Sequence, residues 1–201
     1  MQIEIREYRP DDFAEWMRVH AIIMTISHAW NYCIQERPAY EGHESSRLVA
    51  LHDGHIIGLT DCQYDNTPGE ICFLGDSRGG YVCEFGRLPE YKGCNLGKRI
   101  IDATVEDAKG KGIHRLEYWS QDRNAQRFYQ RLGMQEIGRH YRFRMKPNDA
   151  MKDSVGADHI GIEYVYAACL PEEWPLVKQK YEIVDKHPLE AHLCIGYEIR
   201  F

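Results

Sequence analysis

The chain has 201 residues, of which 43% are apolar or aromatic, and a formal net charge of −6. That length can bury a substantial core and fits one domain with or without an extension. The acidic balance argues against a nucleic-acid binder, which needs a basic face, and no apolar run approaches the roughly 18–20 residues that cross a bilayer, so neither nucleic acid nor membrane is an expected partner.

Met1–Arg6 alternates apolar and polar residues where a signal peptide would be continuously apolar, so a cytoplasmic protein is expected. Ile3 and Ile5 predict a strand, and Tyr8-Arg9-Pro10-Asp11-Asp12 predicts a helix starting near Pro10, with proline and acids in its first turn. From there to about Tyr40 the pattern predicts two short helices with a break near Ser27. Ser46–Leu51 and Ile56–Tyr64 are β-rich runs joined through Asp53-Gly54, a strong hairpin signal. A turn-rich stretch over 66–80 leads to another strand, Tyr81–Leu88.

Leu96, Ile100, Ile101, Val105 and Ala108 then recur at helical spacing until Gly110 and Gly112. A strand over His114–Ser120 follows. Ala125, Phe128, Tyr129 and Leu132 mark a further helix that stops at Gly133, and Met134–Met145 returns as a strand. Lys146–Asp158 is polar, so a catalytic unit is expected over 1–147 and a small α+β extension over 148–201. In the extension, strands Ile160–Leu170 and His192–Phe201 should flank a helical stretch, Pro171–Val184. Three roles are open to it: covering an acceptor cleft, forming the interface of a homodimer, or sealing the sheet edge. The seven cysteines (Cys33, Cys62, Cys72, Cys83, Cys94, Cys169 and Cys194) include no Cys-x-x-Cys pair, and the ten histidines no His-x-x-x-His pair; reduced thiols and no metal are expected.

The segment richest in chemistry is Leu88-Pro89-Glu90-Tyr91-Lys92-Gly93-Cys94-Asn95-Leu96-Gly97-Lys98-Arg99, a glycine turn between a strand and a helix. Glycines let backbone approach a ligand, and free N–H groups at a helix start attract anions such as pyrophosphate. A Walker loop is excluded, since only three residues separate Gly93 from Gly97-Lys98 and Arg99 stands where Ser or Thr is required. A dinucleotide fingerprint also fails, because the preceding strands form an antiparallel meander.

Lys92-Gly93-Cys94-Asn95-Leu96-Gly97 resembles the acetyl-coenzyme A signature of the GNAT N-acetyltransferases, a basic residue or glutamine followed by Gly-x-Gly-x-Gly or Ala. Lys92 replaces the usual Arg or Gln, and Asn95 replaces a glycine; Asn tolerates left-handed geometry, so the turn survives. Tyr118–Met134, with Asn124 and Phe128-Tyr129-x-x-Leu132-Gly133, resembles the same family's later strand and helix. The resemblance is strong over 79–143 and weak over 1–65.

It implies an α+β fold: a mixed, mostly antiparallel sheet whose fourth and fifth strands, Tyr81–Leu88 and His114–Ser120, splay apart between flanking helices. It implies acetyl-CoA as cosubstrate, held by Gly86, Arg87 and Leu88 along the pantetheine arm, by Lys92, Gly93, Cys94, Asn95, Leu96, Gly97 and Lys98 at the pyrophosphate, and by Asn124 and Phe128. It implies direct acetyl transfer to an amine, with Tyr129 protonating the departing thiolate. Read without the resemblance, Asn124 is a helix N-cap and Tyr129 a core aromatic.

An amine with a pKa near about 10 must lose a proton before it attacks. Glu84, bordering the splay, is the leading base, with His28, His20 and Asp61 as alternatives. Trp16, Trp30, Tyr32 and Tyr64 are candidates to line an acceptor pocket for a small molecule or a peptide amine. A module that binds acyl-coenzyme A without turnover is the competing reading.

Overall fold

The computed structural model describes residues 2–27, 34–148, 164–184 and 192–201. The chain forms two compact units, Met1–Glu136 with Tyr197–Phe201, and Ile137–Gly196. The last five residues therefore belong to the first unit.

In the first unit, β1 (Glu4–Glu7) leads through a 3₁₀ turn, Pro10–Asp12, into α1 (Phe13–Ile26). Arg6 ties this entry by donating to both oxygens of Asp12 at 2.7 and 2.9 Å. Trp16, Val19 and Ile23 form the buried stripe of α1. The helix stops at Ser27, as its sequence predicts. The second short helix expected after Ser27 is not found in residues 34–40, and residues 28–33 lie outside the described chain.

Strands β2 (Ser45–His52) and β3 (His55–Tyr64) form the hairpin, with Asp53 and Gly54 at φ of 51° and 81°. Positive φ at both turn positions is the geometry whose twist matches the strands, which is why Asp-Gly signals it. Strand β4 (Gly80–Arg87), α2 (Leu96–Gly110), β5 (Arg115–Ser120) and α3 (Arg123–Arg131) follow. The sheet runs β1-β2-β3-β4-β5, antiparallel except for β4 and β5. Its core joins Trp16, Val19 and Ile23 of α1 to Val49, Leu51, Ile57 and Leu59 of the hairpin and Leu96 and Ile100 of α2.

Two irregularities in β4 prepare the site. Among the described residues, parallel pairing with β5 covers only Gly80↔Leu116 and Tyr81↔Glu117, so from Val82 onward β4 has an unpaired edge toward β5. On the other side the register jumps from Asp61↔Glu84 to Cys62↔Val82, leaving Cys83 as a bulged residue without a partner. Bulges re-aim neighbouring side chains, here those of Cys83 and Glu84.

In the second unit β6 (Gln135–Met145), most of which lies there, pairs antiparallel with β7 (Val165–Cys169), and the part of β8 (His192–Arg200) up to Gly196 belongs to this unit, β8 neighbouring β6. Helix α4 covers only Trp174–Lys180, with Trp174 packed on Tyr141 and Phe143. The helical stretch expected to Val184 ends early because Tyr181 turns extended and the chain bonds to β6, with Val184 N–H donating to Arg144 O at 2.9 Å.

Candidate active site

The glycine turn takes the geometry an anion needs. Gly93 sits at φ 90° and Asn95 at 60°, so the asparagine adopts the left-handed conformation of the glycine it replaces. Asn95 is the N-cap residue of α2, yet its side chain makes no cap hydrogen bond. Among the described residues, the N–H groups of Leu96, Gly97 and Lys98 have no acceptor, and they carry the positive end of a 15-residue helix. Lys92, Gly93 and Asn95 are exposed, Cys94 is half-buried with its thiol on Tyr91 O at 3.0 Å, and Leu96 is buried in the core. Lys98 pairs with Asp102 at 2.6 Å, both side chains about half exposed, so the lysine can turn to an anion at little cost.

Gly97 allows a close approach by α3: a Cβ there would lie 2.9 Å from Cζ of Phe128. The Phe128 ring in turn stacks on Phe85 of β4 at 6.0 Å and 13°. Tyr129 is 4% exposed and its ring lies 5.1 Å from Tyr118, 5.6 Å from Tyr197 and 6.1 Å from Phe85. Thus Tyr118 of β5, Phe85 of β4 and Tyr129 of α3 meet where the two strands part. Burial, then Asp122 and Tyr197, push the Tyr129 phenol well above its ordinary range, so it stays protonated across the physiological range. Among the described residues its hydroxyl has no hydrogen-bond partner, and that of Tyr118 is buried without one.

Asn124 does not cap α3. Asp122 does, its Oδ1 accepting from Asn124 N at 2.6 Å and Ala125 N at 3.0 Å, which leaves the exposed Asn124 side chain available. Leu88 N–H donates to Ile57 O at 2.8 Å. Antiparallel bonding alternates, so Gly86 also faces β3, while the N–H and C=O of Phe85 and Arg87 face the free edge. Of the three backbone positions expected along that edge, Arg87 is the one that offers its groups to it; Phe85 is the neighbour the sequence reading passed over.

On the bulge, Glu84 Oε2 lies 3.0 Å from His20 Nε2 and accepts its proton in the tautomer that carries one there, and His20 stacks on Trp16 at 4.9 Å. Directly across the strand pair, Asp61 is fully buried. Arg37 Nη2 donates to both its oxygens at 2.6 Å and the Tyr40 hydroxyl donates to Oδ2 at 3.1 Å. Burial pushes the Asp61 carboxyl up to about 6 against the pull of Arg37. Burial, Glu84 and Asp61 push the Cys83 thiol up to about 12, so it is no nucleophile at neutral pH. Arg37 and Tyr40 carry no local motif and were missed in the sequence; only the fold brings them to Asp61.

Trp16 and Tyr64 are core residues rather than pocket walls, Trp16 wholly buried and Tyr64 bonded to Ser46 inside the sheet. His28, Trp30 and Tyr32 lie outside the described residues. Among the described residues no cluster of ligating side chains could hold a metal, and no helix is long and apolar enough to cross a membrane.

The profile of the Acetyltransferase (GNAT) family matches residues 4–134, nearly all of the first unit. The chain belongs to the GNAT acetyltransferases. Its sequence is 24% identical over 127 residues to N-alpha-acetyltransferase 30 of Schizosaccharomyces pombe, covering 62% of this chain and 77% of that protein. The fold is similar to a polyamine N-acetyltransferase of Drosophila melanogaster, with TM-score 0.58 and 14% identity over 100% of both chains. It is also similar to the PaiA N-acetyltransferase of Thermoplasma acidophilum in complex with coenzyme A, with TM-score 0.53 and 18% identity over 69% of this chain and 92% of that one. Membership makes the chain an acyltransferase, and coenzyme A in a structural relative agrees with an acetyl-CoA cosubstrate.

Proposed function

We propose that the protein transfers an acetyl group from acetyl-CoA directly to an amine of a small molecule or peptide, with Tyr129 as general acid and Glu84 as base. The carrying observation is that Tyr129 packs on Phe85 beside the unpaired stretch of β4, with the Phe128 ring joining that point to Gly97 at the uncapped start of α2. Two of the relatives named above are, by their names, an N-alpha-acetyltransferase and a polyamine N-acetyltransferase, which supports an amine acceptor.

The residues divide the work. The N–H groups of Leu96, Gly97 and Lys98, with Lys92 and Lys98 side chains, hold pyrophosphate. Arg87 and Phe85 backbone pair the pantetheine arm as an added strand, and one of their N–H groups faces the thioester oxygen as charge develops there. Glu84 takes a proton from the incoming ammonium. The Tyr129 hydroxyl donates to the sulfur as the carbon–sulfur bond breaks and recovers a proton from the attacking nitrogen. A phenol with raised proton affinity is a weaker acid than a thiol of pKa about 8.5, so this donation proceeds with nitrogen resupplying the proton rather than through free phenolate.

A thiol-release screen of amines with acetyl-CoA tests the reading. Release with at least one amine is expected; acetyl-CoA binding without release for any of them would support a binding module instead.

A further inference from the structure

Glu84 does not stand alone. The titratable and charged groups around it come from every packed element: His20 from α1, Arg37 and Tyr40 from the connection after it, Asp61 from β3, and Cys83 from β4 itself. Side-chain exposures are 4% for His20, 15% for Glu84, 7% for Arg37 and 0% for Asp61, so water screens them little. Burial keeps Tyr40 and Cys83 protonated and neutral. Among the described residues, that leaves two carboxylates, one guanidinium and one imidazole in the cluster.

The guanidinium is fixed in place. Arg37 lies 4.2 Å over the Tyr8 ring and 5.2 Å over Trp16, the same ring on which His20 stacks at 4.9 Å. Its charge is therefore committed to Asp61. With a neutral imidazole the cluster carries one uncompensated negative charge in a poorly hydrated place, which is costly unless a cation or a proton arrives.

We propose that Arg37 and Asp61 are positioning residues that set the charge of the Glu84–His20 pair, so that the acceptor is taken up as an ammonium ion and surrenders a single proton to that pair. This rests on the N-acetyltransferase reading above and names the acceptor class as cationic amines. The protons balance. The ammonium gives one to the Glu84–His20 pair, which returns it to solvent after turnover. The neutral nitrogen forms the amide bond as carbon–sulfur breaks, and its second proton reaches sulfur by way of Tyr129. Loss of Arg37 would add a negative charge and make the pair hold a proton more tightly; loss of Asp61 would do the opposite; loss of both would restore the original sum.

The test titrates the His20 imidazole by NMR in the acetyl-CoA-free protein and compares it with the acid limb of kcat/KM for 1,4-diaminobutane and acetyl-CoA. In Arg37→Met both midpoints are expected to rise by about one pH unit, and in Asp61→Asn to fall by about one. In the double variant they return to within roughly 0.3 of the unaltered protein, the cancellation a double-mutant cycle reads. A purely structural role gives no opposed shifts and no cancellation, and midpoints that move together or stay put overturn the inference. The double variant orphans no buried charge and so folds where a single one fails. Arg37→Lys, which keeps the charge, must leave the midpoint in place; a shift of about half a unit or more overturns the inference. Thiol release confined to an amine uncharged at neutral pH, with aniline as the probe, overturns the ammonium half. Absence of release with every amine of the screen speaks against the N-acetyltransferase reading, while the imidazole titration decides the charge account by itself.

Discussion

The glycine turn ahead of α2 and the charged cluster between α1 and β4 are built by opposite means. The turn is backbone: contiguous over Lys92–Lys98, with Lys92, Gly93, Asn95 and Lys98 exposed, and its free groups are N–H donors left over where a helix begins. The cluster is side chain: His20, Arg37, Tyr40, Asp61 and Glu84 come from four separate segments, and they are mostly buried. A backbone site tolerates substitution where geometry is kept, as Asn95 in a left-handed conformation shows. A buried charge cluster tolerates little, because each member is the others' solvent.

The largest expected effect lies in the cluster. Arg37→Met should destabilise the protein by about 3–5 kcal/mol in urea unfolding, since it strands the buried Asp61 carboxylate. The double variant with Asp61→Asn should recover most of that loss, and a double variant less stable than either single one would show that the two side chains do not compensate each other's charge. Next is pH. The folded Asp61 value of about 6 lies above the ordinary carboxyl value of about 3.9, so between roughly pH 4 and 6 the folded state holds a proton that the unfolded state has released. Stability from this group therefore falls as pH rises through that window, by up to about 3 kcal/mol, and stays lower above it. Asp12, held below the ordinary range chiefly by its hydrogen bond from Arg6, contributes with the opposite sign. The difference in stability between Asp61→Asn and the unaltered protein at pH 4.5 and 6.5 isolates the Asp61 part.

On the turn, effects should be smaller in stability and larger in ligand affinity. Gly93→Ala places a side chain at φ 90° and should cost about 1–2 kcal/mol in unfolding, with weaker acetyl-CoA binding in calorimetry. Lys98→Glu should change stability by no more than about 0.5 kcal/mol, because the Lys98–Asp102 pair is exposed. Its acetyl-CoA affinity should drop about tenfold or more by repulsion of pyrophosphate. Equal binding would remove Lys98 from the pyrophosphate site.

The same contrast explains what the sequence made legible. Hairpin, helices and the glycine turn are local patterns, and Asp53-Gly54 or the spacing of Leu96 to Ala108 announces them. The parting of β4 and β5 came through resemblance, since no local pattern in Tyr81–Leu88 records that pairing stops after Tyr81. The capping of α3 by Asp122 rather than Asn124 is a choice between neighbours that composition cannot make. Strand alternation withdraws Leu88 N–H from the free edge, which needs the register with β3. Arg37 and Tyr40 are ordinary surface types in sequence, and only long-range packing gives them a buried partner.

Acetyl transfer assisted by Tyr129 stands or falls with Tyr129→Phe, with acetyl-CoA affinity read by calorimetry and thiol release read with an acceptor found in the amine screen. Affinity should stay within about twofold while kcat falls by about a hundredfold or more at neutral pH. Unchanged kcat with intact acetyl-CoA binding would contradict it.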